Sequence, residues 1–408
     1  MKILWVKAGG LVPPDTGGKI RTYNILRELA RQHSVTFLSF YAAHDGDLHP
    51  GLKNIFDRIV CLPLNLPAPK SPAEMFDYGL GLFSSHPYGI TKYCRPVVRR
   101  ALRSLLKQET YDVIVCDFAI AAGVIPWDSP IPKVLFTHNV EAAIWRRHYE
   151  VATNLIWKAI SLREWRKMES AERRYLRLAD QVLTVSETDR DAFAAFVDPA
   201  KLTVIPTGVD VDYFHPTPTE EVENSLVFTG SMDWLPNEDA ILYFADAILP
   251  LIKQKCPGVF LEVVGRSPSH KLQALAEVEK SVRLTGRVED IRPFVARGSV
   301  YVVPLRIGGG TRLKIFEAMA MGKAVVSTSV GAEGLPVRSG VNILLADSPQ
   351  DFADSVTSLL GDPKERLRLG AAARTLVQGK YSWSKVAETF SRTLQDVVSR
   401  RTPSDVRR

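Results

Sequence analysis

The feature that most constrains this chain is an alternation repeated along its whole length. Short β-branched, apolar runs are separated by long segments of helical period. In the first half the runs fall at Lys2–Lys7, Ser34–Phe40, Arg58–Leu62, Asp112–Cys116, Lys133–Thr137, Gln181–Val185 and Leu202–Ile205. Amphipathic segments such as Gly18–Gln32 and Pro96–Glu109 lie between them. The second half repeats the pattern at Leu226–Thr229, Val259–Val264, Val282–Leu284, Val300–Val303, Ala324–Ser327 and Asn342–Leu345. A strand that is apolar on both faces needs cover on both sides, and helical crossovers over a parallel sheet supply it. The pattern therefore predicts an α/β chain of two doubly wound, Rossmann-like parallel-sheet domains. Its 408 residues exceed what one hydrophobic core usually supports, which agrees.

The seam is expected near Pro206–Glu223, where Pro206-Thr207-Gly208 ends a strand and Pro216, Pro218 and the acidic run Glu220–Glu223 read as a polar linker. The expected domains are residues 1–215 and 216–382, with a final helix over 383–408 crossing back to the first domain. The stretch Pro63–Tyr93 is broken by proline and glycine and is expected to be an irregular insertion. Open parallel sheets bind ligands beyond the carboxyl ends of their strands, so the expected active site is a cleft between the two domains.

Composition removes several classes. With 46% hydrophobic and 24% charged residues the chain has enough apolar surface to fold. The four cysteines (Cys61, Cys94, Cys116, Cys256) are far apart, which argues against a disulfide framework or a zinc site and fits a reducing compartment. The apolar run Ile3–Val6 is too short for a secretory leader, and no stretch reaches the ~20 apolar residues that span a bilayer. The expected location is cytoplasmic, or peripheral on the inner face of the membrane. A net charge of +7 invites polyanions, anionic lipid or phosphorylated small molecules without choosing among them.

The most informative stretch is Pro304-Leu-Arg-Ile-Gly-Gly-Gly-Thr-Arg-Leu-Lys-Ile-Phe-Glu-Ala-Met-Ala-Met-Gly322, directly after a strand. Glycines there let backbone approach a ligand closely. Thr311 is a candidate N-cap, and free amides at a helix start suit a phosphate. Arg312 and Lys314 add cations. Glu317, one turn deeper, is a carboxylate placed to accept hydrogen bonds from vicinal hydroxyls such as those of a ribose. His138 ends a strand whose apolar run points into the sheet. The pair Gly17-Gly18 opens the first helix.

Together these residues resemble the family-4 glycosyltransferases of GT-B architecture. The stretch from Pro304 to Gly334 is similar to that family's donor-binding segment. Thr16-Gly17-Gly18, His138-Asn139, Gly208-Val-Asp210 with Phe214 and Pro216, Gly230-Ser-Met-Asp-Trp-Leu-Pro-Asn237 and Gly286-Arg-Val-Glu-Asp290 fit as well. Within the family the chain is most similar to sugar transferases of bacterial exopolysaccharide and surface-sorting gene clusters.

The resemblance implies retaining transfer of a sugar from a nucleotide-diphosphate-sugar donor to a hydroxyl acceptor, the latter a sugar or lipid-linked. It implies catalytic roles for His138, Lys314 and Arg266. Donor binding is implied at Gly17, Gly18, Gly230, Arg266, Arg287, Val288, Gly309, Gly310, Thr311, Arg312, Lys314 and Glu317. No metal and no cofactor are implied, the nucleotide sugar being a substrate. One departure stands out. Glu317 matches the second acid of the family's paired-glutamate motif, but the position of the first is Gly309, which leaves the sugar open.

Two other functions are compatible with parts of the pattern. A nucleotide-sugar epimerase of the same architecture would need no acceptor. A nucleic-acid binder should show a continuous basic stripe, whereas the 52 Lys and Arg are interleaved with 45 acids. The segment Ala143–Leu178 carries nine Lys or Arg against four acids, interleaved with Trp145, Tyr149, Trp157, Trp165 and Tyr175. It reads either as a helix with buried aromatics or as one lying in a membrane interface.

Overall fold

The computed structural model describes residues 1–14, 16–45, 51–69, 71–152, 154–307 and 313–401. The chain divides into two compact units. Unit 1 comprises Met1–Pro206 together with the residues from Val386 on, and unit 2 is Thr207–Lys385.

Unit 1 is built on β1 (Lys2–Ala8), β2 (Ser34–Ala42), β3 (Arg58–Leu64), β4 (Val113–Asp117), β5 (Lys133–Phe136), β6 (Gln181–Thr184) and β7 (Leu202–Val204). They form one sheet in the order β3-β2-β1-β4-β5-β6-β7, and every pair is parallel. The order reverses between β1 and β4. Successive side chains of a strand point to opposite faces. Leu4 and Val6 accordingly join one core with Leu38, Ile114 and Leu135. Trp5 goes to the other face and stacks on Phe390 with ring centroids 5.4 Å apart, while Phe136 meets the same ring edge-on at 5.2 Å. Phe390 belongs to the last helix, Trp383–Arg401. That helix buries Val386, Phe390, Leu394 and Val397, the spacing of one apolar helix face.

Unit 2 is built on β8 (Ser225–Thr229), β9 (Phe260–Val264), β10 (Val282–Gly286), β11 (Val300–Val303), β12 (Val325–Ser327) and β13 (Leu344–Leu345). Its sheet, also parallel throughout, has the order β10-β9-β8-β11-β12-β13 and reverses between β8 and β11.

Two stretches differ from expectation. Pro63–Tyr93 carries two helices, at Pro72–Leu80 and Tyr88–Tyr93. The signal was local: Ser71 Oγ accepts from the Glu74 amide at 3.1 Å and Pro72 occupies the first helical position, a capping arrangement that proline-rich surroundings obscure. The acidic run is more than a solvated linker. Glu221 binds the buried Lys323 at 2.6 Å and Arg366 at 3.0 Å. At the seam the Val209 amide donates to the Tyr381 carbonyl at 2.7 Å. A Cβ on Gly208 would lie 2.6 Å from the Trp383 ring, so only glycine fits there.

Replacing Phe390 by alanine empties a fully buried ring site against Trp5 and Phe136. Phe390→Ala is expected to cost unit 1 about 3–5 kcal/mol, read as a lowered urea midpoint in tryptophan fluorescence. An unshifted midpoint would show that the helix does not brace this face.

Candidate active site

In unit 2 the loops that leave β8, β9 and β10 meet the helix Leu313–Ala320, which follows β11. They enclose a recess of about 330 Å³. It sits beyond the strands' carboxyl ends, where the strand order reverses and adjacent loops diverge to leave a crevice. Gly230, Arg266, Arg287, Val288, Lys314 and Glu317 all line it. The structure thus brings together every described unit-2 residue that the sequence singled out for the donor. Gly309, Gly310, Thr311 and Arg312 lie outside the described residues.

The recess exists because two loops cross backbone to backbone. A Cβ on Gly265 would stand 1.6 Å from the Gly230 carbonyl oxygen, which no side chain can satisfy. One on Gly230 would stand 2.6 Å from Asn237 Nδ2 and 2.9 Å from Lys314 Nζ. The Gly230 amide donates to the Val264 carbonyl at 3.0 Å and the Met232 amide to the Arg266 carbonyl at 2.9 Å, so the two loops continue the sheet ladder past its edge.

Three side chains then set the chemistry. Lys314 Nζ donates to Asn237 Oδ1 at 2.8 Å and stands 3.9 Å from the centroid of the Phe228 ring. Asn237 is buried, and its Nδ2 donates to the Ser231 carbonyl at 2.8 Å. One amide therefore ties the ammonium to the loop after β8. Arg266 is exposed, with Nε donating to Ser231 Oγ at 2.9 Å. Glu317 lies one helical turn from Lys314 on the same face. Burial pushes its carboxyl up to about 7, against the opposing pull of Lys314. Arg287 is exposed and Val288 half-buried at the end of β10. A recess lined by three cations, a carboxylate and bare glycine backbone is suited to a phosphorylated ligand with hydroxyls.

Asn237 and Gly265 were not singled out as site residues, although Asn237 closes the quoted stretch that begins at Gly230. Its partner Lys314 is distant in sequence, and a buried asparagine next to a proline carries no local mark of that pairing.

In unit 1, Gly17 and Gly18 start the first helix, Gly17–Leu29, after β1. A Cβ on Gly18 would lie 3.9 Å from the His138 ring, so the helix start sits over the imidazole. His138 is buried and engaged at both nitrogens. Arg21 Nη1 lies 3.0 Å from Nδ1, and a guanidinium can only donate, so Nδ1 is the acceptor. The proton is then on Nε2 and goes to Asp117 Oδ1 at 2.7 Å. Burial is the largest influence on this ring, and it carries the imidazole down to about 4 against the pull of Asp117.

The fully buried Asp117 also accepts from Trp5 Nε1 at 2.9 Å, Lys7 Nζ at 3.2 Å and Thr22 Oγ1 at 2.8 Å. Burial would raise its pKa, but Lys7, His138 and these donors outweigh that and hold it well below the usual carboxylate range. The next residue, Phe118, has φ +84, a strained conformation for a non-glycine residue and one that gathers at functional sites. The resemblance implies a catalytic role for His138, which would need a ring nitrogen free to bond the donor sugar. In this arrangement neither ring nitrogen is left for it, because Arg21 and Asp117 hold both. Arg21, Thr22, Lys7 and Asp117 escaped notice, though a lysine and an aspartate ending otherwise apolar strands were the available signal.

Known proteins bear on these two units. A model described as Glycosyltransferase Family 4 matches residues 16–213, and one described as Glycosyl transferases group 1 matches 223–362. The chain is 27% identical over 262 residues to MMP alpha-(1->4)-mannosyltransferase of Mycolicibacterium hassiacum, covering 62% of this chain and 63% of that one. It is 29% identical over 233 residues to the GDP-mannose-dependent alpha-(1-6)-phosphatidylinositol monomannoside mannosyltransferase of Mycobacterium tuberculosis, covering 51% and 60%. The matched stretch thus spans under two thirds of the length of these curated relatives. Among solved structures, sucrose-phosphate synthase from Thermosynechococcus elongatus superposes with a TM-score of 0.70 at 18% identity, over 98% of this chain and 100% of that one. With both sheets parallel and doubly wound and both halves matched, the chain belongs to glycosyltransferase family 4 and has its GT-B architecture.

Proposed function

We propose that the chain transfers a glycosyl group, with retention of configuration, from a nucleoside-diphosphate sugar to a hydroxyl acceptor. The observation that supports this best is the recess in unit 2, where Lys314, Arg266 and Glu317 converge on glycine backbone at the sheet's switch point. In this reading Lys314 and Arg266 neutralise the diphosphate. Glu317 accepts from the ribose hydroxyls, and the base lies against Arg287 and Val288.

The bond from the anomeric carbon to the diphosphate oxygen breaks as the bond to the acceptor oxygen forms on the same face. The acceptor's proton passes to the departing diphosphate. Charge that develops on the leaving oxygen is met by fixed cations and needs no metal. Gly17 and Gly18 present helix-start amides to an anion, while His138 acts as a positioning residue beneath them.

The acceptor is proposed to be lipid-linked or a growing surface saccharide. The Mycobacterium tuberculosis relative carries a lipid acceptor in its name. The chain also exposes apolar side chains on unit 1: Leu155 is 82% exposed and Ile156 73%, with Met75 and Phe76 at 74% and 70%. Arg163 joins their two helices through Tyr78 Oη at 3.2 Å and the Gly81 carbonyl at 2.9 Å. The far half of the helix Leu155–Leu178 buries Met168, Ala171 and Tyr175, so one helix has a packed end and an exposed apolar end. No described helix is long and apolar enough to cross a membrane, and this end is proposed to rest on its surface.

Glu317 must be ionised to accept two hydroxyl hydrogen bonds, and burial holds it protonated until about 7. Donor affinity should therefore rise as pH climbs through that value and fall by about tenfold per pH unit well below it. Glu317→Gln should flatten the dependence and weaken binding, as read by calorimetry with a nucleoside diphosphate; a slope that survives the substitution refutes the ribose contact. Lys314→Ala should lower kcat by about 10²-fold while EDTA leaves both forms unaffected. Full turnover by that variant would remove the lysine from the reaction. Replacing Leu155 and Ile156 by serine and Trp157 by alanine should abolish flotation with anionic vesicles, and undiminished flotation would dismiss the membrane contact.

A further inference from the structure

A second cavity, of about 670 Å³, lies wholly within unit 1 and is not lined by Gly17, Gly18 or His138. Its walls come from the short helix Tyr88–Tyr93, the start of the helix Pro96–Gln108, the turn Ala119–Val124 with the loop after it, and Arg174 and Tyr175. Three exposed guanidiniums, those of Arg99, Arg103 and Arg174, stand on its rim. Arg99 is anchored there, Nη2 donating to the Gly123 carbonyl at 3.2 Å. Asp128 is the one carboxylate among the lining residues.

One wall is a rigid aromatic stack. Trp127 packs on Tyr175 with centroids 5.6 Å apart, and Tyr175 on His86 at 6.0 Å. Tyr175 Oη lies 2.8 Å from His86 Nε2, and Trp127 Nε1 donates to the Ala122 carbonyl at 2.9 Å. The imidazole of His86 is driven below its ordinary value by burial, then by Arg174, Arg99 and Lys167. Three guanidiniums thus share the lining with one carboxylate, Asp128, and positive charge is in excess there.

We infer that this cavity binds a phosphate ester bearing hydroxyl groups. Arg99, Arg103 and Arg174 hold the phosphate, since guanidinium forks match its oxygens in geometry and charge. Asp128 and Thr91 face the hydroxyls, and the Trp127 plane offers a flat apolar wall for the carbon skeleton. The volume lies within the range of small-ligand sites. None of these residues belongs to the recess in unit 2, so the inference does not depend on the proposed transfer. Two sources share this chemistry: a soluble sugar phosphate, or a phospholipid headgroup reached from the membrane, because Ser84 on the wall stands two residues from the exposed Leu82.

The test is calorimetry of the full chain with glucose 6-phosphate, with glucose as the neutral control, beside sedimentation with phosphatidylglycerol–phosphatidylcholine vesicles. Arg103→Ala/Arg174→Ala removes two exposed rim charges. It should weaken binding of at least one probe by about tenfold or more, the scale of lost charge-assisted contacts. Arg266→Ala/Lys314→Ala, which disables the unit-2 recess, should leave that binding intact. A loss confined to glucose 6-phosphate identifies a soluble ligand, and a loss confined to vesicles identifies a headgroup. If neither probe binds the unsubstituted chain, if the rim pair changes neither, or if glucose binds as tightly as its phosphate, the inference is overturned.

Discussion

Parallel pairing is the constraint from which the rest of the molecule follows. A strand in such a sheet cannot turn straight back into its neighbour. The chain must cross over a face and start again from the same edge. Every strand therefore delivers its outgoing loop to one edge, and the loops on either side of a reversal in strand order diverge. In unit 2 that reversal lies between β8 and β11, and the loops after β8, β9 and β10 converge there with the helix that follows β11. In unit 1 it lies between β1 and β4, beside Gly17, Asp117 and His138. Residues far apart in the chain become neighbours without any loop having to be long.

The two edges solve opposite electrostatic problems. At the edge of unit 1 a lysine, an arginine, an aspartate and a histidine are taken out of water and satisfied by one another. Desolvated charges are tolerable only when paired and hydrogen-bonded. The product is a stiff platform with its imidazole fixed in one tautomer. At the edge of unit 2 the cations stay within reach of solvent. Arg266 leans on a serine hydroxyl and Lys314 donates to a neutral amide. The Glu317 carboxyl is half-buried close by, one helical turn from Lys314.

Much of this was legible in the amino-acid order, for a definite reason. Each of the apolar runs read as a strand falls on a strand, because continuous β-branched stretches bounded by turn residues have few other folded uses. The glycine, arginine, lysine and glutamate of the unit-2 recess were legible because they lie at strand ends in a spacing the family shares. What escaped depends on distance in sequence. Asn237 matters through Lys314, Asp117 through Lys7 and Trp5, and Gly208 through Trp383. In each pair the partners are joined only by the fold. The helix at Pro72–Leu80 escaped differently: its cap was local, but the prolines and glycines nearby suggested an irregular insertion. His138 shows the reverse hazard, since a histidine at a ligand edge invites a direct role that its two occupied nitrogens do not leave open.

The chain passes between its units twice, once after Pro206 and again within the helix Trp383–Arg401. A stop codon at the first passage would thus not liberate the amino-terminal half as an independent module. It would strip Phe390 and its neighbours from the Trp5 face and leave an oily sheet surface in water. Dissecting this protein calls for excising unit 2 as an internal cassette and splicing the terminal helix back on through a linker. A shuffled hybrid must likewise inherit both ends of its first half from the same parent.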